Sequence, residues 1–82
     1  MAMTMDKVTT YLVCSYLYYI QYEDTPLTDF EFDTLCRELL NEFDTLEHEF
    51  KYLLDKESLK AGTAYQIGDR DYPPEIKRLA KQ

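Results

Sequence analysis

The sequence predicts an all-α fold in one domain of 82 residues. Three observations carry that reading. Glycine and proline number only two and three, too few turn formers for a many-stranded fold. Apolar residues recur at spacings of three and four along two stretches, the period of a helix face. A complete helix-start signal, Thr28-Asp29-Phe30-Glu31, stands directly before the second stretch. The expected architecture is a hairpin of two main helices with one or two short helices and an extended C-terminal segment.

The first helix is expected from about Asp6, as its cap, to Tyr22. Val8, Tyr11, Leu12, Ser15, Tyr18, Tyr19 and Tyr22 form one stripe, and Val13, Leu17 and Ile20 lie on other faces. A helix apolar on several faces is covered on more than one side. Tyr11, Tyr16 and Tyr22 read as packing residues with surface hydroxyls. Pro26 ends the helical run, because it disfavours helix at Thr25 and lacks an amide proton.

The second helix opens with the capping box of Thr28 and Glu31, flanked by Leu27 and Phe32 at the positions of a hydrophobic staple. Asp29 and Asp33 suit the positive end of the helix dipole. Phe32, Leu35, Cys36, Leu39, Phe43 and Leu46 make its buried stripe, and Asp33 and Arg37 are spaced to pair on the outer face. The apolar period continues through Phe50, Leu53 and Leu54, so the second helix either runs on to about Asp55 or breaks near Asp44-Thr45, where Asp44-x-x-Glu47 can cap a third helix. The break is preferred, since one helix of about twenty-seven residues is long for so small a domain. Ser58 to Ala61 before Gly62 reads as a last turn with its C-terminal glycine. Thr63 to Tyr72 is irregular, with a turn at Gly68-Asp69. Pro74 to Ala80 forms a short final helix with Pro74 at its first position.

Charge narrows the function classes. Residues Glu23 to Glu49 hold ten acidic groups against Arg37 alone, a balance of −9; the remainder carries +2, for a net charge of −7. Nucleic-acid affinity comes mainly from Lys and Arg displacing counterions, so direct binding to DNA or RNA is not expected. A basic protein surface is an allowed partner. Cys14 and Cys36 are too few for a disulfide framework or a zinc site, and read as small core residues. No secretory leader and no membrane-length apolar run is found, and a cytoplasmic protein is expected. His48, alone in an acidic stretch, reads as solvated. No nucleophile, metal set or phosphate-cradling glycine loop stands out.

The stretch Tyr16 to Asp33 is the most informative. It holds four tyrosines, two phenylalanines and five carboxylates. In an antiparallel hairpin, Tyr18 and Tyr19 at the end of the first helix lie beside Asp29, Phe32 and Asp33 at the start of the second. Rings and carboxylates together suit a flat cation, by stacking and by charge. Packing and site readings both stand for Tyr18, Tyr19 and Phe32. Asp29 and Asp33 are equally explained as first-turn helix residues.

Tyr18-Tyr19, Asp24-x-Pro26, Asp29-x-Glu31-Phe32-Asp33-x-Leu35 and Arg37-Glu38-Leu39 together resemble the N-terminal helical domain of bacterial NAD-dependent DNA ligases. The resemblance spans about Tyr16 to Leu46. It implies a ligase Ia-like domain that binds NAD or nicotinamide mononucleotide without a metal. Tyr18 and Phe32 would stack on the nicotinamide ring, and Tyr19 would lie near ribose or phosphate. Asp29 and Asp33 would hold the amide and the ribose hydroxyls. Phe32 departs from the family's usual Tyr, and the interval from Tyr18 to Asp29 is one residue longer than the common spacing. No Lys-x-Asp-Gly motif is present, so the chain by itself is expected to be non-catalytic. It would either dock on a separate adenylation domain, as one half of a split ligase, or be a relic or reuse of that domain in a small genome such as a phage's. The alternative is an acidic interaction or inhibitor protein, phage-encoded and DNA-mimicking in character, that occupies a basic surface on its partner.

Overall fold

Asp6 starts the first helix by accepting a hydrogen bond from the Thr9 amide at 2.7 Å, which satisfies one of the free N–H groups of the first turn. The computed structural model describes residues 6–81. It contains helices α1 (Lys7–Ser15), α2 (Asp29–Glu42), α3 (Lys56–Ala61) and α4 (Pro74–Ala80), with single 3-10 turns at Lys51–Leu53 and Asp69–Asp71. No strand occurs among the described residues.

The central element is α1. Six consecutive residues, Tyr11 to Tyr16, are buried, so this helix is covered on every side, as its all-round apolar character requires. It does not continue as an α-helix to Tyr22. Tyr16–Ile20 winds as a π-helix, closed by the Gln21 amide donating to the Tyr16 carbonyl at 3.1 Å and the Glu23 amide to the Leu17 carbonyl at 2.9 Å. The wider winding ends the single stripe expected from the sequence. Tyr22 leaves it with a positive φ of 55° and stands 87% exposed, so it is not a packing residue. Tyr11 and Tyr16 are buried. The Tyr11 hydroxyl is also inside, donating to the Thr63 carbonyl at 2.7 Å.

The second helix begins where the sequence indicates. The Glu31 amide donates to the Thr28 hydroxyl, and the Thr28 amide donates to the Glu31 carboxylate at 2.9 Å. It runs antiparallel to α1. Lys7, at the start of α1, pairs with Glu38 at 3.8 Å and with Glu42 near the far end of α2, while Phe32 in the first turn of α2 stacks on Tyr11. Helix α2 ends at Glu42 in a turn over residues 43–45. No helix is capped by Asp44; its carboxylate pairs with Lys56 at 2.8 Å instead. The third helix starts later, where Asp55 accepts from the Ser58 amide at 3.0 Å. Gly62 closes it in the left-handed conformation, φ 73°, with the Thr63 amide returning to the Ser58 carbonyl at 2.9 Å.

The segment after α3 folds back onto the core. Ala64, Ile67 and Tyr72 are buried, and α4 packs on α1 and on the π-helical turn. The radius of gyration, 11.8 Å, matches the value of about 12 Å expected for a compact chain of this length. Tyr72 donates to the buried Ser15 hydroxyl at 2.9 Å and meets Tyr16 edge-on, with ring centroids 5.1 Å apart. Cys14 and Cys36 are buried free thiols, pushed up to about 11 and about 12 chiefly by burial, which leaves negligible thiolate near neutral pH. No helix among the described residues is long and apolar enough to cross a membrane.

His48 is tied down rather than solvated. Its Nδ1 accepts from the Phe50 amide at 3.0 Å. In the neutral ring Nε2 then carries the proton and faces Asp6 at 3.2 Å. Burial opposes ionisation of Asp6, but the Thr9 amide and His48 together hold its carboxyl below 3.8. The stability contributed by this cap is therefore present above pH 3.8 and lost as the pH falls through the lower folded value. Asp6→Ala should cost about 1 kcal/mol at neutral pH. Its gap to the wild type in thermal melts should close on acidification below pH 3.8.

Candidate functional site

The hairpin brings all five expected residues to one place. Tyr18, Tyr19, Asp29, Phe32 and Asp33 line a single cavity of about 290 Å³, together with Cys14, Ser15, Thr25, Leu27, Thr28 and Gly62. One wall comes from the end of α1 and the π-helical turn, the other from the first turn of α2. The capping box fixes the start of α2 and with it the backbone positions of Asp29, Phe32 and Asp33.

The side chains differ in freedom. Phe32 is half-buried, and one of its faces is taken by Tyr11, with centroids 5.4 Å apart and planes 12° from parallel. Tyr19 meets Tyr18 edge-on at 4.9 Å and leans on Tyr65, also at 4.9 Å. Burial raises the Tyr19 hydroxyl above its ordinary value, with Tyr65 and Tyr18 adding to the shift, so it remains a neutral donor. Tyr18 is 55% exposed and has the most accessible ring of the cavity wall. Asp33 gives one oxygen, Oδ2, to Arg37, whose Nε lies 3.1 Å away. Its other oxygen points toward Gly62. Asp29 makes no ion pair among the described residues. Of the two carboxylates it is the one with uncompensated charge.

Gly62 matters here for two reasons. Its φ of 73° suits glycine, and a Cβ at this position would sit 2.9 Å from Asp33 Oδ1. Gly62→Ala should cost about 1–2 kcal/mol from the left-handed backbone alone and push Asp33 away from the cavity. Gly62→Asn tolerates that backbone better yet carries the same Cβ. Urea midpoints should therefore rank wild type above Asn and Asn above Ala.

A second, larger cleft opens from the same mouth. It measures about 1050 Å³ and is lined by Tyr18, Tyr19, Tyr22, Glu23, Asp24, Asp29 and Tyr65 among others. Neither cavity has a Lys, Arg or His in its lining. Sequence reasoning did not find Tyr65, nor the part of Gly62. Both lie after the second helix, where no apolar period indicates a face. The one available signal was an aromatic residue, Tyr65, two positions before Ile67 in a segment that otherwise reads as surface.

Among the described residues no group of three or more His, Cys, Asp or Glu side chains is placed to hold a metal ion. The fold and the site define a class: a small all-α protein whose hairpin mouth is lined by tyrosines and carboxylates. No family model, curated protein or solved structure matches this chain.

Proposed function

We infer that the chain is a binding module for a flat aromatic cation, with the nicotinamide riboside half of NAD or nicotinamide mononucleotide as the ligand. The observation that supports this reading is the convergence of Tyr18, Tyr19, Phe32, Asp29 and Asp33 on one cavity of about 290 Å³. That volume lies at the small end of ligand pockets, which run from about 300 Å³ upward. It suits a ring and part of a sugar rather than a whole dinucleotide. Oxidised nicotinamide carries a positive charge on a planar ring, which aromatic faces and carboxylates both attract. Tyr18 is the ring most open to stack on the ligand, Phe32 backs the cavity, and Asp29 supplies the free negative charge. The two carboxylates accept hydrogen bonds, which fits the nicotinamide amide and the ribose hydroxyls as donors. The site does not fit a phosphate, since the lining has no basic side chain; a phosphate would point out of the mouth, toward solvent or a docked adenylation domain. In this reading the module presents the nicotinamide half, and the nucleophile for any adenyl transfer belongs to that second protein.

Titration with nicotinamide riboside, nicotinamide mononucleotide, NAD and NADH tests it. Tyrosine emission is a direct reporter, because the chain has eight tyrosines and no tryptophan. The oxidised compounds should saturate the signal. NADH, whose ring is neutral, should bind its nicotinamide end about fivefold more weakly, the equivalent of roughly 1 kcal/mol for one charge pair about 4 Å apart in water. Asp29→Asn should erase most of that difference. Equal response to NAD and NADH, or no saturable response to the riboside, would remove the nicotinamide assignment.

A further inference from the structure

We propose that the larger cleft is the docking groove for an extended, arginine-bearing segment of a partner protein. The inference does not depend on the nicotinamide reading: Tyr22, Glu23, Asp24 and Tyr65 lie outside the small cavity, while Tyr18, Tyr19 and Asp29 line both.

Exposed aromatic surface is concentrated here. The described chain exposes five large hydrophobic side chains, and three of them, Tyr18 at 55%, Tyr22 at 87% and Tyr65 at 76%, line this one cleft. Single exposed aromatics are ordinary on a soluble surface; a cluster around one concavity marks an interaction site. Tyr18, Tyr19 and Tyr65 form a continuous run of rings, with successive centroids 4.9 Å apart. The backbone holds Tyr22 in the left-handed region at φ 55°, which is uncommon outside glycine, and the ring stands at the rim rather than in the core.

Charge identifies the occupant. Glu23, Asp24 and Asp29 share the lining, which has no basic group. None of the three enters an ion pair among the described residues, whereas Asp33, Glu38, Glu42 and Asp44 each have a Lys or Arg partner. Phosphate-bearing polymers are repelled by such a surface. A guanidinium is suited to it on two counts. It stacks flat on tyrosine faces, and its planar fork pairs with carboxylates two bonds at a time. Lysine, a compact and strongly hydrated charge, gains less from the rings. At about 1050 Å³ the groove exceeds what one small cation fills, and its open form accepts several residues of extended chain.

The test uses the full chain and three probes: a short peptide of alternating glycine and arginine, its lysine counterpart, and spermidine. Binding is followed by chemical-shift perturbation at low and at physiological salt. The arginine peptide should bind about fivefold more tightly than the lysine peptide, weaken with salt, and shift the resonances of Tyr22 and Tyr65. Tyr65→Ala removes an exposed ring and should leave the fold intact while reducing arginine-peptide affinity about fivefold. Glu23→Gln with Asp24→Asn should weaken all three probes. Phe32→Leu, which alters the small cavity and the stack on Tyr11 but no residue lining the cleft, should leave peptide binding unchanged, so the nicotinamide assignment can fail without this one. Equal affinity for all three probes, an unaffected Tyr65→Ala variant, or shifts mapping elsewhere would overturn the proposal.

Discussion

Tyr11→Ala should destabilise the protein by about 3–5 kcal/mol, the range for deleting a large buried aromatic side chain. Domains of this length have total stabilities of roughly 4–12 kcal/mol, so a substantial unfolded population is expected near physiological temperature. Three losses add up at this position. The ring is fully buried, its face stacks on Phe32, and its hydroxyl donates to the Thr63 carbonyl across the fold. Tyr11→Phe separates them. It keeps the ring and the stack and loses only the hydrogen bond, for about 1 kcal/mol, or somewhat more if the Thr63 carbonyl finds no water. Urea denaturation of the two variants should therefore differ by at least about 2 kcal/mol. If they unfold together, the stack with Phe32 contributes little and the cavity behind it is not held in the way described. Because Tyr11 backs Phe32, Tyr11→Phe should also leave cation binding intact.

The parts of this fold that could be read from sequence are those set by local chemistry. Asp6, Thr28 with Glu31, Gly62 and Pro74 each satisfy or terminate a helix end through groups within a few residues, and all four act at the expected positions. The antiparallel hairpin followed from two apolar stripes and one short loop. The π-helical turn at Tyr16–Ile20 did not, because a run such as Tyr-Leu-Tyr-Tyr-Ile satisfies the α-helical period equally well. Whether an amide reaches back four residues or five is decided by what packs around it, here Tyr72 and α4. The start of α3 was misplaced for a similar reason. Asp44-x-x-Glu47 is locally as good a cap as Asp55-x-x-Ser58, but Asp44 is used by Lys56. His48 was misread because its partner Asp6 lies forty-two positions away. At the site, the hairpin residues were legible and Tyr65 was not: its wall belongs to an irregular segment positioned by buried Ala64 and Ile67, which carry no periodic signal.

The same coupling makes Ile76→Ala the second large effect, at about 2–5 kcal/mol. Helix α4 has seven residues, well below the length of about 12–15 at which an isolated helix becomes even marginal in water. It persists because Ile76 is fully buried and because Leu79 and Ala80 pack at the edge of the same core. The Lys77–Asp69 pair at 3.4 Å is largely solvent-accessible, with Lys77 half-buried, and contributes under about 1 kcal/mol. Ile76→Val retains most of the buried volume and should cost only about 0.5–1.5 kcal/mol. The consequence reaches the site, although Ile76 lines neither cavity. Helix α4 packs on the π-helical turn, and that turn positions Tyr18 and Tyr19. In Ile76→Ala, amide exchange should therefore accelerate along Tyr16–Ile20 as well as along α4, and ligand-induced tyrosine signals should weaken even under conditions where α2 stays folded. Exchange that rises in α4 alone, with Tyr18 and Tyr19 undisturbed, would mean that the π-helical turn is held by α1 and Tyr72 without the last helix.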